Sequence, residues 1–304
     1  MCNLNILIKP NNKTYLQELQ NATATSYSTN SDSEGIYLSQ SNRAYKSLNK
    51  LNLSNYKTQL QKSNFIISHQ RISTSGYNFE NTQPFLSKKW VLVHNGILDI
   101  KKELTHKDKS DTAIFFSEFL HQMEKERDIK KAIENTINAT CENWNSYSIF
   151  IYNKVDKIGY YFKNSKTNIN IYRLKDNSLY IATNSNTHNF FNNIQRDYKV
   201  TENILYKIEV KDKKVLFESK GKIKLSKNNQ RFYTDIKTSY KQKPNNWDYV
   251  NTNWEEMSQK EKNWEEQYYN KVIQEQYKTP LTNKKATDLK PKDTALKQKE
   301  EDYI

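Results

Sequence analysis

Glycine is scarce in this chain: five residues in 304, with five prolines and two cysteines. Cys2 and Cys141 stand alone, with no CxxC pair and no Cys/His ligand spacing, so neither a disulfide framework nor a metal site is expected. No apolar run is long enough to cross a bilayer, and the N-terminus has neither the basic nor the apolar region of a signal peptide. The chain therefore reads as cytoplasmic, with no membrane partner. No glycine-rich loop that could cradle a phosphate occurs either, and nothing in the sequence calls for a cofactor.

Hydrophobic residues make up 35% of the chain and mean hydropathy is −0.99, yet 21 Tyr and 12 Phe are present. That supply builds one aromatic-rich core but does not fill the whole length. The formal net charge is +14. Lysine is scattered and accompanied by abundant Asn, Ile and Tyr, the look of a coding bias rather than of a basic patch. With no recognition motif or stacking platform, nucleic acid is not an expected partner.

Apolar and β-branched runs predict strands over residues 3–9, 35–38, 64–69 and 90–94. A helix is predicted over 14–25. Ile114, Phe115, Phe119, Leu120 and Met123 recur at helical spacing over 111–127, with Ser110 as N-cap, and a further helix covers about 129–141. Six strands follow between 147 and 218. Strands, then two helices, then strands imply an α+β protein with helices packed outside layered sheets.

Past about residue 235 the apolar strands stop and charges of both signs nearly balance. Trp247, Val250, Trp254, Met257, Trp264 and Tyr268 form an aromatic stripe, predicting an amphipathic helix over about 247–275, followed by disorder. The expected division is a globular domain over 2–235 and a charged tail over 236–304. The helix either packs on its own domain or docks a partner.

Four short segments carry chemistry. Removal of Met1 would give Cys2 both a thiol and a free α-amine. An α-amine titrates at about 7.7–8.0, so it can take the thiol proton without a His or Lys. Arg71 ends an apolar strand within Ser68-His69-Gln70-Arg71-Ile72-Ser73-Thr74-Ser75-Gly76, where a guanidinium can grip a carboxylate bidentately, helped by hydroxyls such as Thr74. Asn95-Gly96, after Val93-His94, offers a side-chain amide and a backbone N–H that can converge on an oxyanion; Asn-Gly is equally a hairpin-turn pair. In Ser110-Asp111-Thr112 the helix cap explains the pattern, unless Asp111 faces a ligand ammonium.

Taken in order, these segments resemble the class II glutamine amidotransferase domain of the N-terminal-nucleophile hydrolase superfamily. The matching stretches are Met1-Cys2, the Gly-containing acidic segment Asn30 to Gly35, His69 to Gly76, Asn81-Thr82-Gln83-Pro84-Phe85, His94 to Gly96 and Ser110 to Thr112. Departures are Ala113, where many members carry Glu, Ser75 in place of a His found in some branches, and a loosely matched Asp32 segment. The resemblance covers roughly residues 2–220 and implies a four-layer αββα sandwich. It implies that Cys2 is the nucleophile with its own α-amine as base. Arg71, helped by the Thr74 region, would bind the glutamine α-carboxylate, Asn95 and Gly96 would stabilise the oxyanion, and Asp111 would hold the α-ammonium.

Beyond residue 235 too little chain remains for an ammonia-consuming half, so the expected form is a stand-alone glutaminase that supplies a separate acceptor, docked through the aromatic helix. Two alternatives stand beside it: hydrolysis of another γ-glutamyl amide without ammonia transfer, and a non-catalytic adaptor reusing the fold.

Overall fold

Short apolar runs become strands whose two faces are both covered. In a computed structural model that describes residues 2–73 and 79–225, two antiparallel sheets form an α+β fold. Thr74, the aromatic helix expected over about 247–275 and the tail after it lie outside the described residues.

The first sheet has seven strands: β1 (Asn3–Ile8), β2 (Ser33–Leu38), β3 (Arg43–Ser47), β4 (Phe65–Arg71), β9 (Asn170–Leu174), β10 (Leu179–Ala182) and β11 (Ile194–Tyr198). Their spatial order is β11-β9-β10-β1-β4-β2-β3. The second sheet contains β5 (Phe85–Leu86), β6 (Trp90–Ile100), β7 (Cys141–Asn153), β8 (Ile158–Lys163), β12 (Ile204–Lys211) and β13 (Lys214–Lys222), ordered β13-β12-β8-β7-β6-β5. Among the described residues four α-helices join them: α1 (Leu16–Thr29), α2 (Lys57–Lys62), α3 (Asp111–Lys125) and α4 (Ile129–Thr140).

Strand alternation assigns each apolar side chain to a face. Leu4, Ile6, Ile8, Phe65, Ile67 and Ile181 of the first sheet share one cluster with Val91, Val93, Phe150, Tyr152 and Ile208 of the second. On the other faces, Leu7, Ile36, Ile66 and Tyr180 pack with Leu19 and Ala22 of α1. Leu92, Ile149, Ile151 and Phe162 pack with Phe115 and Phe119 of α3 and Ile133 and Ile137 of α4. Burial on both faces explains why β1, β2 and β4 read as continuous buried runs. Each fully buried Leu, Ile or Phe contributes roughly 1.5–3 kcal/mol.

Several boundaries differ from the sequence reading, each for an identifiable reason. Helix α1 starts later than residue 14 and runs to Thr29, past residue 25. Its weak C-terminal turn is held from β1, where Asn3 donates to the Ser26 carbonyl and Thr29 Oγ1 (both 3.2 Å) and Asn5 donates to Ser26 Oγ (2.9 Å). Strand β7 begins at Cys141 directly after α4, six residues before the predicted start. Strands β3, β5 and β11 are too short or too polar to show an alternating pattern. Most consequentially, β6 does not stop at His94 but runs through Asn95-Gly96 to Ile100, so that pair is strand interior and not a hairpin turn.

Candidate active site

The face assignments decide which polar side chains can meet. Even-numbered residues of β1 and odd-numbered residues of β4 and β6 point between the sheets. The same alternation carries Cys2, His69, Arg71 and Asn95 onto those inner faces. In β1–β4 pairing Asn3 lies opposite Gln70, and one further step of that register sets Cys2 beside Arg71. Cross-strand neighbours in such a position are about 4.5–5.5 Å apart.

Cys2 is partly buried, and its Sγ donates to the Ile72 carbonyl at 3.7 Å. Burial pushes the thiol above its ordinary value; the field of Asp111 adds to this and that of Arg71 opposes it. Arg71 is 4% exposed, and burial lowers its pKa against the fields of Cys2, Asp32 and Asp111. Asp32, in the segment matched only loosely by sequence, fastens the chain beyond β4. Its N–H donates to the Arg71 carbonyl (3.1 Å), and its carboxylate accepts from the Ser73 N–H (2.5 Å).

Asn95 is 5% exposed, and its Oδ1 is buried without a hydrogen-bond partner among the described residues. Gly96 has φ +140°, and a Cβ there would lie 1.8 Å from the Ser146 carbonyl oxygen and 2.9 Å from His94 Nε2. Only glycine fits this backbone and this contact. Gly35 is constrained differently: a Cβ there would lie 2.0 Å from the Gln83 carbonyl oxygen, where the 79–85 loop crosses β2.

Asp111 opens α3. Its carboxylate accepts from the Leu98 N–H (2.8 Å) on β6, and from the N–H (2.6 Å) and hydroxyl (3.1 Å) of Thr112. The helix cap is Ser110, which accepts from the Ala113 N–H at 3.2 Å, so capping does not consume Asp111. The Asn81–Phe85 motif serves the same junction. Asn81 Oδ1 accepts from the Ser110 N–H (2.8 Å), and Gln83 Oε1 accepts from the His94 N–H (2.7 Å).

Of the residues singled out by sequence, Cys2, Arg71 and Asp111 come within one another's electrostatic reach. Asn95 and Gly96 lie on the strand that holds Asp111, and Thr74 lies outside the described residues. Sequence reasoning placed His69, Gln83, His94 and Thr112 in the matching stretches but gave them no role, although they form a buried polar frame. No single local pattern marks them, since His69 and His94 lie in strands, Gln83 in the loop before β5 and Thr112 in α3, each 4% exposed or less.

The two histidines make a testable device. His69 Nε2 donates to the His94 carbonyl (3.2 Å), and burial, reinforced by Arg71 and His94, lowers its pKa to about 3. Burial lowers the His94 pKa as well, opposed by Asp111. Both folded values lie below the unfolded value near 6.5, so the unfolded chain takes up protons first. The His69 contribution is then complete above about 6.5 and falls as pH drops toward about 3, by on the order of 1 kcal/mol per pH unit, and His94 acts in the same direction. Urea midpoints at pH 7 and pH 5 should differ accordingly, and His69→Gln should flatten the slope; identical slopes would rule His69 out as a contributor.

The fold is shared with part of two solved structures. The chain is similar to glutamine phosphoribosylpyrophosphate amidotransferase from B. subtilis, with TM-score 0.55 and 16% identity over 72% of this chain and 49% of that one. It is also similar to a structure described as the allosteric regulatory enzyme of purine biosynthesis, with TM-score 0.56, 17% identity and the same coverage. The chain thus spans about half the length of these structures, and at such identities the likeness concerns the fold. No protein-family model and no curated protein matches the sequence.

Proposed function

We propose that this protein hydrolyses the side-chain amide of glutamine, with Cys2 as nucleophile once Met1 is removed. The observation that carries the reading is the meeting of Cys2 and Arg71 on the inner faces of the first sheet, with the Asp111 carboxylate close enough to influence both. The fold class, read as a four-layer αββα sandwich over residues 2–235, is supported by the three clusters that alternate with the sheets.

Arg71 grips the glutamine α-carboxylate and Asp111 its ammonium, which sets the γ-amide against Cys2 Sγ. A buried thiol is protonated at rest, so a base must act, and the α-amine of Cys2 takes the proton. The thiolate attacks the amide carbon; a C–S bond forms while the oxyanion is held by the Asn95 amide and the Gly96 N–H. The C–N bond then breaks, the α-ammonium returns its proton to the leaving nitrogen, and ammonia departs. Water, deprotonated by the same amine, cleaves the thioester to glutamate and frees the thiol.

The test is glutamate release from glutamine by the Met-trimmed protein, measured alone and after co-purification with its partner. Release at a rate above that of free glutamine hydrolysis is expected. A trimmed protein inactive in both settings, and not alkylated at Cys2 by a glutamine-mimicking chloroketone, would overturn the proposal.

A further inference from the structure

The junction between β6 and α3 is fastened on both sides of Gly96. On one side the Leu98 N–H donates to Asp111 Oδ2 at 2.8 Å. It is free to do so because β6–β7 pairing shifts register between Leu98 and Ile100. On the other side His94 Nδ1 meets Thr112 Oγ1 at 2.9 Å, and Thr112 Oγ1 lies 3.1 Å from Asp111 Oδ1. Gln83 Nε2 donates to the same hydroxyl at 3.4 Å. His94 Nε2 completes the frame at 3.4 Å from the Ser146 carbonyl, the group that occupies the space a Cβ on Gly96 would need.

Thr112, His94 and Gln83 are 2%, 2% and 4% exposed, so these contacts exchange little with water. Removing the hydroxyl would leave His94 Nδ1 and Gln83 Nε2 without this partner in a buried setting, where an unmet polar group is costly. The frame therefore holds two things at a fixed separation: the Asp111 carboxylate and the backbone of Asn95-Gly96.

We propose that Thr112 and His94 are positioning residues that hold the Asp111 carboxylate where it takes the substrate ammonium. This rests on the reading that Asp111 takes the glutamine α-ammonium and that Asn95 and Gly96 hold the oxyanion. Neither Thr112 nor His94 touches the substrate; each acts through Asp111.

The test compares glutamine with 5-amino-5-oxopentanoate, which is glutamine without its α-amino group. In the wild type, glutamine is the strongly preferred substrate. Thr112→Val keeps the shape and removes the hydroxyl; KM for glutamine should rise by about tenfold or more, while turnover of the des-amino compound changes by less than about twofold. The preference for the ammonium thus collapses, and Thr112→Ser should restore it. A merely structural role would instead lower turnover of both substrates alike and leave the preference between them unchanged. Preserved preference in Thr112→Val, or no rescue by Thr112→Ser, overturns the inference while leaving the glutaminase reading intact. A wild-type protein that neither turns over glutamine nor is alkylated at Cys2 overturns both. Melting curves and iodoacetamide labelling of Cys2 confirm that each variant is folded.

Discussion

Cys2→Ala will abolish glutamate release, by more than about a thousandfold, without unfolding the protein. The size follows from the mechanism: with no sulfur there is no thioester, and direct attack by water lacks the covalent route. Stability should hardly change, because the pairs that fix β1 run from Asn3 opposite Gln70 to Ile8 opposite Phe65 and do not include residue 2. A melting temperature within a few degrees of wild type, with glutamate release at background, is the expected pair of results. An active Cys2→Ala protein would remove the nucleophile from the argument altogether. Cys141 offers no substitute, since it is buried and burial pushes its thiol up to about 12.

Gly96→Ala is expected to be the most damaging single methyl group in the described domain. Its Cβ would fall 1.8 Å from a backbone carbonyl on β7, and a carbonyl held in a sheet cannot swing aside as a side chain can. The φ of +140° adds backbone strain. Together these should lower stability by on the order of 3 kcal/mol or more, read as a fall in the urea midpoint. Glutamine turnover should be lost even under conditions where the variant stays folded, because the shift lands on the proposed oxyanion donors Asn95 and Gly96. A loss under about 1 kcal/mol would mean that the β6–β7 contact at Ser146 is looser than described.

How much of this was legible in the sequence varies with the kind of signal. The core strands were, because Ile66-Ile67, Val91-Leu92-Val93 and Ile149-Phe150-Ile151 are covered on both faces and leave no polar residue in the run. Helix α3 was, since its cap and its Phe115–Phe119 spacing are local. The continuation of β6 through Asn95-Gly96 was not. The pair is a turn by local preference, and only the thirteen-residue partner strand β7 extends it. Gly35 and Gly96 lie in the matching stretches, but the reason only glycine fits there is steric crowding by Gln83 and Ser146, which is not a local property. For Asp111, sequence left two readings open. The structure gives the cap to Ser110, and Asp111 turns back toward β6.

The position of β1 has a consequence for biosynthesis. Chain ends usually fray, yet this one leads straight into a central strand paired with β4 on one side and β10 on the other. One of those neighbours, Leu179–Ala182, is encoded far downstream. At roughly 5–20 residues per second, ribosomes take on the order of 10–35 s to reach it. Until then the leading strand lacks one partner, and the extreme N-terminus stays open to a trimming peptidase. On the proposed reading of Cys2 as nucleophile, removal of Met1 and closure of the sheet are then ordered in time, cleavage first and completion of the pairing that holds Cys2 after.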